Sequence, residues 1–269
     1  MFLFDEPSPQ RIARFLDAQR DAPFSYDEVG ASRQGAFAPA GYAVDHNRAR
    51  LGRGRDTFER AVAALYSWKM FDVGWARLVP ADVPVEVGTT VAVLARHYGF
   101  HSLNPCRISY TIEEDEGGFL KRGFAYGTLP EHGERGEERF TVEWRRKDDS
   151  VFYELYAFSR PNHFLAKLGN PLARRLQRQF ARDSLRAMVR ATNPGQAVPG
   201  TIEPPTEAGQ QPAANELRCL TQPLTDQSDH KGGTHRPLVQ LFAQPNPDAC
   251  SLTPVAAVWG RSILAHTAC

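Results

Sequence analysis

A chain of 269 residues with 42% hydrophobic and 23% charged side chains has the make-up of an ordinary globular protein, able to close one or two cores without disulfides or metals. Its formal net charge of +1 excludes a molecule-wide field for polyanions, so no nucleic-acid partner is expected. Cys106, Cys219, Cys250 and Cys269 show no C-x-x-C spacing, which argues against a disulfide framework and a zinc site, and no apolar run approaches the roughly 20 residues that cross a bilayer.

A reducing compartment suits that cysteine usage, and the opening Met1-Phe-Leu-Phe-Asp-Glu reaches acid too soon for a signal peptide, so a cytoplasmic protein is expected. No metal and no cofactor are expected. The first segment, 1–36, reads as an appendage with one short helix. Ser8 suits an N-cap, Pro9 the first helical position, and Ile12, Phe15 and Leu16 make an apolar stripe. Asp21-Ala-Pro ends it.

The main domain, 37–192, opens with a strand at Tyr42-Ala-Val-Asp-His-Asn-Arg. Leu51-Gly-Arg-Gly leads into a helix on which Phe58, Val62, Leu65 and Tyr66 share a face. The period then falls to two. Strands are expected at Trp75–Val79, Thr89–Arg96, Cys106–Glu113, Leu120–Thr128, Phe140–Arg145 and Val151–Phe158. Short turns between them imply an antiparallel meander. In the third of these, Cys106, Ile108, Tyr110 and Ile112 are expected on one face.

A long helix follows, from about Phe164 to Ala191. Leu165, Leu168, Gly169, Leu172, Ala173, Leu176, Phe180 and Ala187 share one arc, and Arg174, Arg175, Arg178 and Arg182 gather opposite. Pro171 marks either a kink or the helix start. The Leu185 and Val189 positions interrupt the arginine side and suggest partial packing. After Asn193-Pro-Gly the pattern vanishes, and 193–269 reads as a disordered or non-native low-complexity tail.

Strand, helix, six strands and a long helix describe an α+β fold: a curved antiparallel sheet of about seven strands gripping a C-terminal helix. An up-and-down barrel with a loosely packed helix is the alternative. The helix-grip arrangement is preferred because the helix carries a wide apolar arc that needs a partner surface.

Several segments resemble one family: Tyr42-Ala-Val-Asp-His-Asn-Arg, Leu51-Gly-Arg-Gly, Phe124-Ala-Tyr-Gly-Thr-Leu-Pro, Gly136-Glu-Glu-Arg-Phe, Ala157-Phe-Ser-Arg-Pro and Gln177-Arg-Gln-Phe-Ala-Arg-Asp-Ser. Together, over roughly 20–191, they are similar to the uncharacterised DUF1990 (UPF0548) family. The resemblance implies a fold of the START and Bet v 1-like kind, with a cavity for an apolar ligand between sheet and helix. It transfers no catalytic residues.

Six groups of residues invite a chemical reading. Pro130-Glu-His-Gly-Glu-Arg-Gly-Glu-Glu holds Glu131, His132, Glu134, Glu137 and Glu138 at a cavity mouth, or is a solvated hairpin loop. His46, on the face of Tyr42 and Val44, binds a polar ligand end or is a satisfied core histidine, with Asp45 and Asn47 opposite. Glu154 lies between Phe152 and Tyr156, and faces either the cavity or solvent. Arg160 is placed to clamp an anion or to tie down the helix start. Gly52-Arg-Gly-Arg lacks the remaining residues of a phosphate loop and reads as a turn. His97 and His101 lie on strands, where their spacing builds no metal site.

The expected function is a pocket protein for a small apolar or amphipathic molecule, more binder than enzyme. The candidate lining is Tyr42, His46, Trp75, Tyr110, Tyr126, Trp144, Glu154, Arg160, Leu176 and Phe180. The second reading is an enzyme of the cyclase, hydrolase or lyase kind, pairing His132 or His46 with Glu134, Glu137 or Asp45. The third is an interaction module whose arginine-rich helix makes weak contact with an anionic surface.

Overall fold

The period-two segments become one antiparallel sheet in the computed structural model, which describes residues 1–34, 39–162, 170–195 and 202–203. Its strands are β1 (Phe2–Leu3), β2 (Ala43–Arg53), β3 (Ala76–Val79), β4 (Thr90–His97), β5 (Phe100–Glu116), β6 (Phe119–Thr128), β7 (Glu134–Arg145), β8 (Ser150–Pro161) and β9 (Ile202–Glu203). The helices are α1 (Pro9–Gln19), α2 (Arg55–Tyr66) and α3 (Asn170–Thr192). In space the strands run β3-β4-β5-β6-β7-β8-β2-β9, with β1 beside β5. Strands β3 to β8 are thus a meander of hairpins, and β2 closes it by pairing with β8. The seven strands β2 to β8 form a curved sheet against the C-terminal helix, so the expected α+β helix-grip order is the observed one.

One face of the sheet holds the main core. Ala49 and Leu51 of β2, Cys106 and Ile108 of β5, Phe124 and Tyr126 of β6, Phe140 and Val142 of β7, and Val151, Tyr153 and Leu155 of β8 meet α2, the 3-10 turn Lys69–Phe71 and α3 there. Call it the inner face. The opposite, outer face is partly covered by residues 24–34, where Tyr26 packs with Tyr156 and Phe158. On that face Gly127 leaves room for Tyr26: a Cβ there would meet the Tyr26 hydroxyl oxygen at 2.1 Å.

Three sequence expectations need correction. First, β5 carries a bulge between Ile108 and Tyr110, where the register slips from Tyr126 to Ala125. Alternation is reset at Ser109, so Tyr110 and Ile112 turn away from Cys106 and Ile108 and join Ala125 on the outer face. Second, Glu134–Glu138 is the start of β7 rather than loop; only 130–133 turns the chain. Third, the buried arc of α3 differs from the expected one. Ala187, on the expected arc, is buried and Phe180 packs on the core, but Ala181, Ser184, Leu185, Met188, Val189 and Thr192 are buried too, and Arg174 turns toward the sheet.

Helix starts obey local chemistry. The Ser8 side chain accepts from the Arg11 amide at 3.3 Å, with Pro9 in the first turn of α1. Pro171 is the second residue of α3 as described. The expected first turns, Phe164–Gly169, lie outside the described residues. So does nearly all of the 193–269 tail, apart from Asn193–Gly195 and β9, which pairs with Arg48 and Ala49 of β2.

Candidate functional site

The inner face changes character from row to row across the strands. Asn47, Leu155, Phe140 and Phe124 lie side by side in register, and the last three are buried. The next row toward the β2 start is Asp45, Ala157, Glu138 and Tyr126. After it come Ala43, Ser159 and Gly136. On β7 and β8 phenylalanine and leucine thus give way to an acid and an alanine within two residues, while β6 keeps an aromatic ring, Tyr126. The floor is low there by necessity at one position: Gly136 has φ +150, and a Cβ on it would meet the Phe158 carbonyl oxygen at 2.0 Å.

The helix above follows the same division. Under its second half, Leu185, Met188 and Val189 are 0–2% exposed. The Tyr153 hydroxyl meets Ser184 Oγ at 3.0 Å at the boundary. Over the small residues, Leu176, Gln177 and Phe180 are only half-buried. Polar ties replace packing there. Arg174 donates from Nη1 and Nη2 to the two Asp45 oxygens at 2.6 and 2.8 Å, and again from Nη1 to Gln177 Oε1 at 2.8 Å. Gln177 Nε2 donates to Ser159 Oγ at 3.0 Å.

Two carboxyls on β7 share this end. Tyr126 Oη donates to Glu138 Oε2 at 2.5 Å. Burial pushes the Glu138 carboxyl up to about 7; the tyrosine hydrogen bond opposes the rise and the Asp45 charge adds to it. Burial also brings Glu134 to about 7, with Arg174 opposing and Asp45 adding. The aromatic wall beside them is continuous. Phe71 lies 5.1 Å from Phe180, 6.0 Å from Phe140 and 6.4 Å from Tyr126, centroid to centroid, and Trp75 stands edge-on to Phe180 at 6.4 Å. Trp75 is fixed by its indole N–H, which donates to Asp183 at 3.1 Å.

The residues expected to line one cavity are divided between the two faces. Trp75, Tyr126, Leu176 and Phe180 belong to the end just described. Trp144 is on the inner face but at the far end, 6.2 Å from the Phe58 ring and donating to Asp149. Tyr42, His46, Tyr110, Glu154 and Arg160 are on the outer side, away from α3. Tyr110 meets Ser32 Oγ at 2.6 Å, Tyr42 donates to Glu28, and the Arg160 guanidinium lies 4.4 Å over the Tyr42 ring. Tyr42 is pushed up to about 12, first by burial and then by Glu28; Tyr110 reaches about 12 through burial.

Neither histidine pairs as expected. The His132 ring accepts the Glu134 amide at Nδ1, 2.9 Å away, and burial, with the Met1 ammonium nearby, lowers its pKa to about 4. His46 lies 3.2 Å from Glu154 rather than beside Asp45, which faces the other way. Burial pushes the Glu154 carboxyl up, but the His46 contact and the Arg139 guanidinium, 2.7 Å away, overcome it and bring it down to about 2. Glu137 sits deeper on this face. It accepts from Tyr26 Oη, the Gly30 and Ser32 amides, Ser32 Oγ and Ser109 Oγ at 2.5–3.1 Å.

Sequence reasoning missed the Asp45–Arg174 and Gln177–Ser159 ties and the partnership of Tyr126 with Glu138. A usable signal was present in the last case. Glu138 has the same parity as Phe140, Val142 and Trp144, so extending β7 backwards by alternation places it on the inner face.

Elsewhere, an open groove of about 480 Å³ is lined by Tyr66, Pro84, Val85, Val87, Thr111 and Glu113. Among the described residues no group of three histidine, cysteine or acidic side chains is placed to hold a metal ion, and no helix is long and apolar enough to cross a membrane.

Comparison with known proteins places these residues in a family. A domain of unknown function, DUF1990, matches residues 25–187. A UPF0548 protein of Dictyostelium discoideum is 36% identical over 213 residues, covering 74% of this chain and 99% of that protein. A UPF0548 protein of Deinococcus radiodurans is 37% identical over 203 residues, covering 71% and 98%. Among solved structures, a hypothetical protein from Helicobacter pylori superposes with a TM-score of 0.39 at 12% identity, over 56% of this chain and 88% of that one.

Proposed function

Since the chain belongs to the DUF1990 (UPF0548) family, described only as a domain of unknown function, its chemistry has to be read from its own side chains, and we propose that it binds a small apolar or amphipathic molecule between the sheet and the first half of α3. One observation carries this reading: the change from a filled to a small-and-polar interior within a single row of the inner face. Leu185, Met188 and Val189 join a buried cluster that is mostly large, with Leu51, Phe124, Phe140, Val142, Tyr153 and Leu155 among its inner-face side chains. Beneath Arg174–Phe180 the floor is Ala43, Ala157, Ser159 and Gly136, and the helix side chains above are half-buried.

A core that needed only stability would fill that end with leucine or valine, because each buried methylene contributes about 0.8 kcal/mol. Instead it carries a few convergent polar groups beside an aromatic wall, the usual make-up of a small-molecule site. The apolar part of a ligand fits against Phe180, Trp75 and Tyr126, and its polar end meets Glu138, Glu134 and the Asp45–Arg174 pair.

The test is to fill the space. Ala157→Trp and Ser159→Trp place an indole on the floor. Native mass spectrometry of freshly purified parent protein is expected to show a retained small molecule, or uptake of an apolar fluorophore in its place, and both are expected to vanish in the tryptophan variants while cooperative melting persists. Undiminished uptake by both well-folded variants would move the ligand elsewhere.

A further inference from the structure

We infer that the molecule taken up under the first half of α3 carries a protonated amine, held by the Glu138 carboxylate against the aromatic wall of Tyr126, Trp75 and Phe180. This rests on the pocket reading above and adds the ligand's chemical class.

Most polar groups at this end already have partners. Asp45 is occupied on both oxygens by Arg174, and Ser159 by Gln177. Those groups form the frame that ties helix to sheet. Glu138 is different: its carboxyl stands on the row of Asp45 and Ala157 and receives one hydroxyl, from Tyr126. A carboxylate has about four acceptor positions, so among the described residues most of its capacity is left unused, on the row of Ala157 where the pocket reading puts the ligand.

An anionic ligand head is disfavoured at this place, since Glu134, Glu138 and Asp45 all stand around it and the nearby guanidinium of Arg174 is committed to Asp45. A neutral hydroxyl would satisfy one acceptor position. An ammonium satisfies several and supplies the missing charge. The surroundings also favour a cation for a reason independent of the acids. Tyr126, Phe71, Phe180 and Trp75 form one connected aromatic cluster on the same side, and the electron-rich faces of such rings attract ammonium groups.

The groups that face Glu138 predict how the recognition responds to pH. They are Tyr126 on β6, Asp45 on β2, Cys106 on β5, Tyr153 on β8 and, on its own strand, Glu134, with Arg174 on the helix side. Burial raises both tyrosine hydroxyls and the Cys106 thiol, so all three stay protonated near neutrality. Glu138 and Glu134, each at about 7, are the groups here that ionise in that range. An amine binds the ionised carboxylate, so its affinity rises with pH through about 7.

The experiment compares three probes with one tail: octylammonium, 1-octanol and octanoate, titrated into the full chain and followed by backbone NMR shifts. At pH 8 the ammonium is expected to bind at least tenfold tighter than the alcohol and tighter still than octanoate, with shifts centred on Ala157, Glu138 and Phe180. At pH 5.5 the preference over the alcohol is expected to shrink several-fold in the unmutated protein, a readout that needs no variant. Glu138→Gln is expected to abolish the preference of the ammonium over the alcohol at pH 8. If octanol or octanoate binds as tightly as the ammonium at pH 8, the amine inference is overturned and the pocket stands. If none of the three binds, the pocket reading itself fails.

Discussion

Glu137 and Glu138 are neighbours on β7 and face opposite sides of it. Glu137 is 2% exposed and has five donors on its two oxygens, drawn from the N-terminal segment and β5. Among the described residues Glu138 has one donor, Tyr126, and it neighbours Ala157 and Asp45. The difference separates two uses of a buried carboxylate. Where every acceptor position is filled from within the chain, the group is structural: it pins residues 26–32 to the sheet. Where most positions are left among the described residues, burial costs the carboxylate without compensation, and the proposed pocket gives those positions a use.

The largest test of that contrast is Glu137→Ala. It strands the Tyr26 and Ser32 hydroxyls and two backbone amides in a buried site, which costs about 3–5 kcal/mol in urea denaturation. Protease cleavage within residues 20–34 is expected to accelerate with it. A loss below about 1 kcal/mol would mean that the N-terminal segment is held by Tyr26 and Phe24 packing instead.

Next comes a comparison of the two halves of α3. Leu185→Ala empties a fully buried position and is expected to cost about 2–5 kcal/mol, whereas Leu176→Ala, over the small-residue floor, is expected to cost about 1 kcal/mol or less. Equal costs would show that the first half is packed as tightly as the second, against the pocket.

Glu138→Gln is expected to stabilise the protein. The folded state raises this carboxyl from the ordinary 4.5 to about 7, so it favours the protonated form. The stability that protonation gives is full below pH 4.5 and is lost as pH rises through 7. A glutamine, never charged, should therefore match the parent at pH 4.5 and exceed it at pH 8 by roughly 1–3 kcal/mol. Thermal melts across that range read the sign directly. A variant less stable than its parent at pH 8 would class Glu138 with Glu137.

Much of this architecture was legible in the sequence, and the failures have physical causes. Alternation over 140–145 and 150–158 gave strands because each buries one face, and the change of period at 164–191 gave the closing helix. The bulge at Ser109 was invisible, since one inserted residue leaves composition untouched yet reverses the direction of Tyr110 and Ile112. The segment Glu134–Glu138 reads as loop because its side chains are charged, with Gly133 before it and Gly136 within it. It is strand because Glu137 finds donors on one side and Glu138 faces the site on the other. His46 and Asp45 could be assigned to opposite faces by parity alone, but which face met the helix depended on β8, and thus on pairing 110 residues away in the chain. Long-range polar ties such as Asp45–Arg174 follow from register and helix rotation together, and neither is written in a local pattern.

That pair gives the finest test of the contrast. Asp45 and Arg174 are 19% and 26% exposed at their side chains, neither buried enough for a large desolvation penalty nor free enough for full screening. Their two hydrogen bonds, at 2.6 and 2.8 Å, tie the first half of α3, where the described side chains are at most half-buried, to β2. A double-mutant cycle of Asp45→Asn and Arg174→Gln is expected to give a coupling of about 0.5–1.5 kcal/mol at low salt, falling by half or more in 1 M NaCl. The same cycle read as ligand uptake separates tether from binding group: losing a tether changes how fast the space opens, with the relative affinities of ammonium, alcohol and carboxylate probes unchanged. A shift in that order would instead put Arg174 in direct contact with the ligand, and Glu138 would no longer be the group that sets its charge.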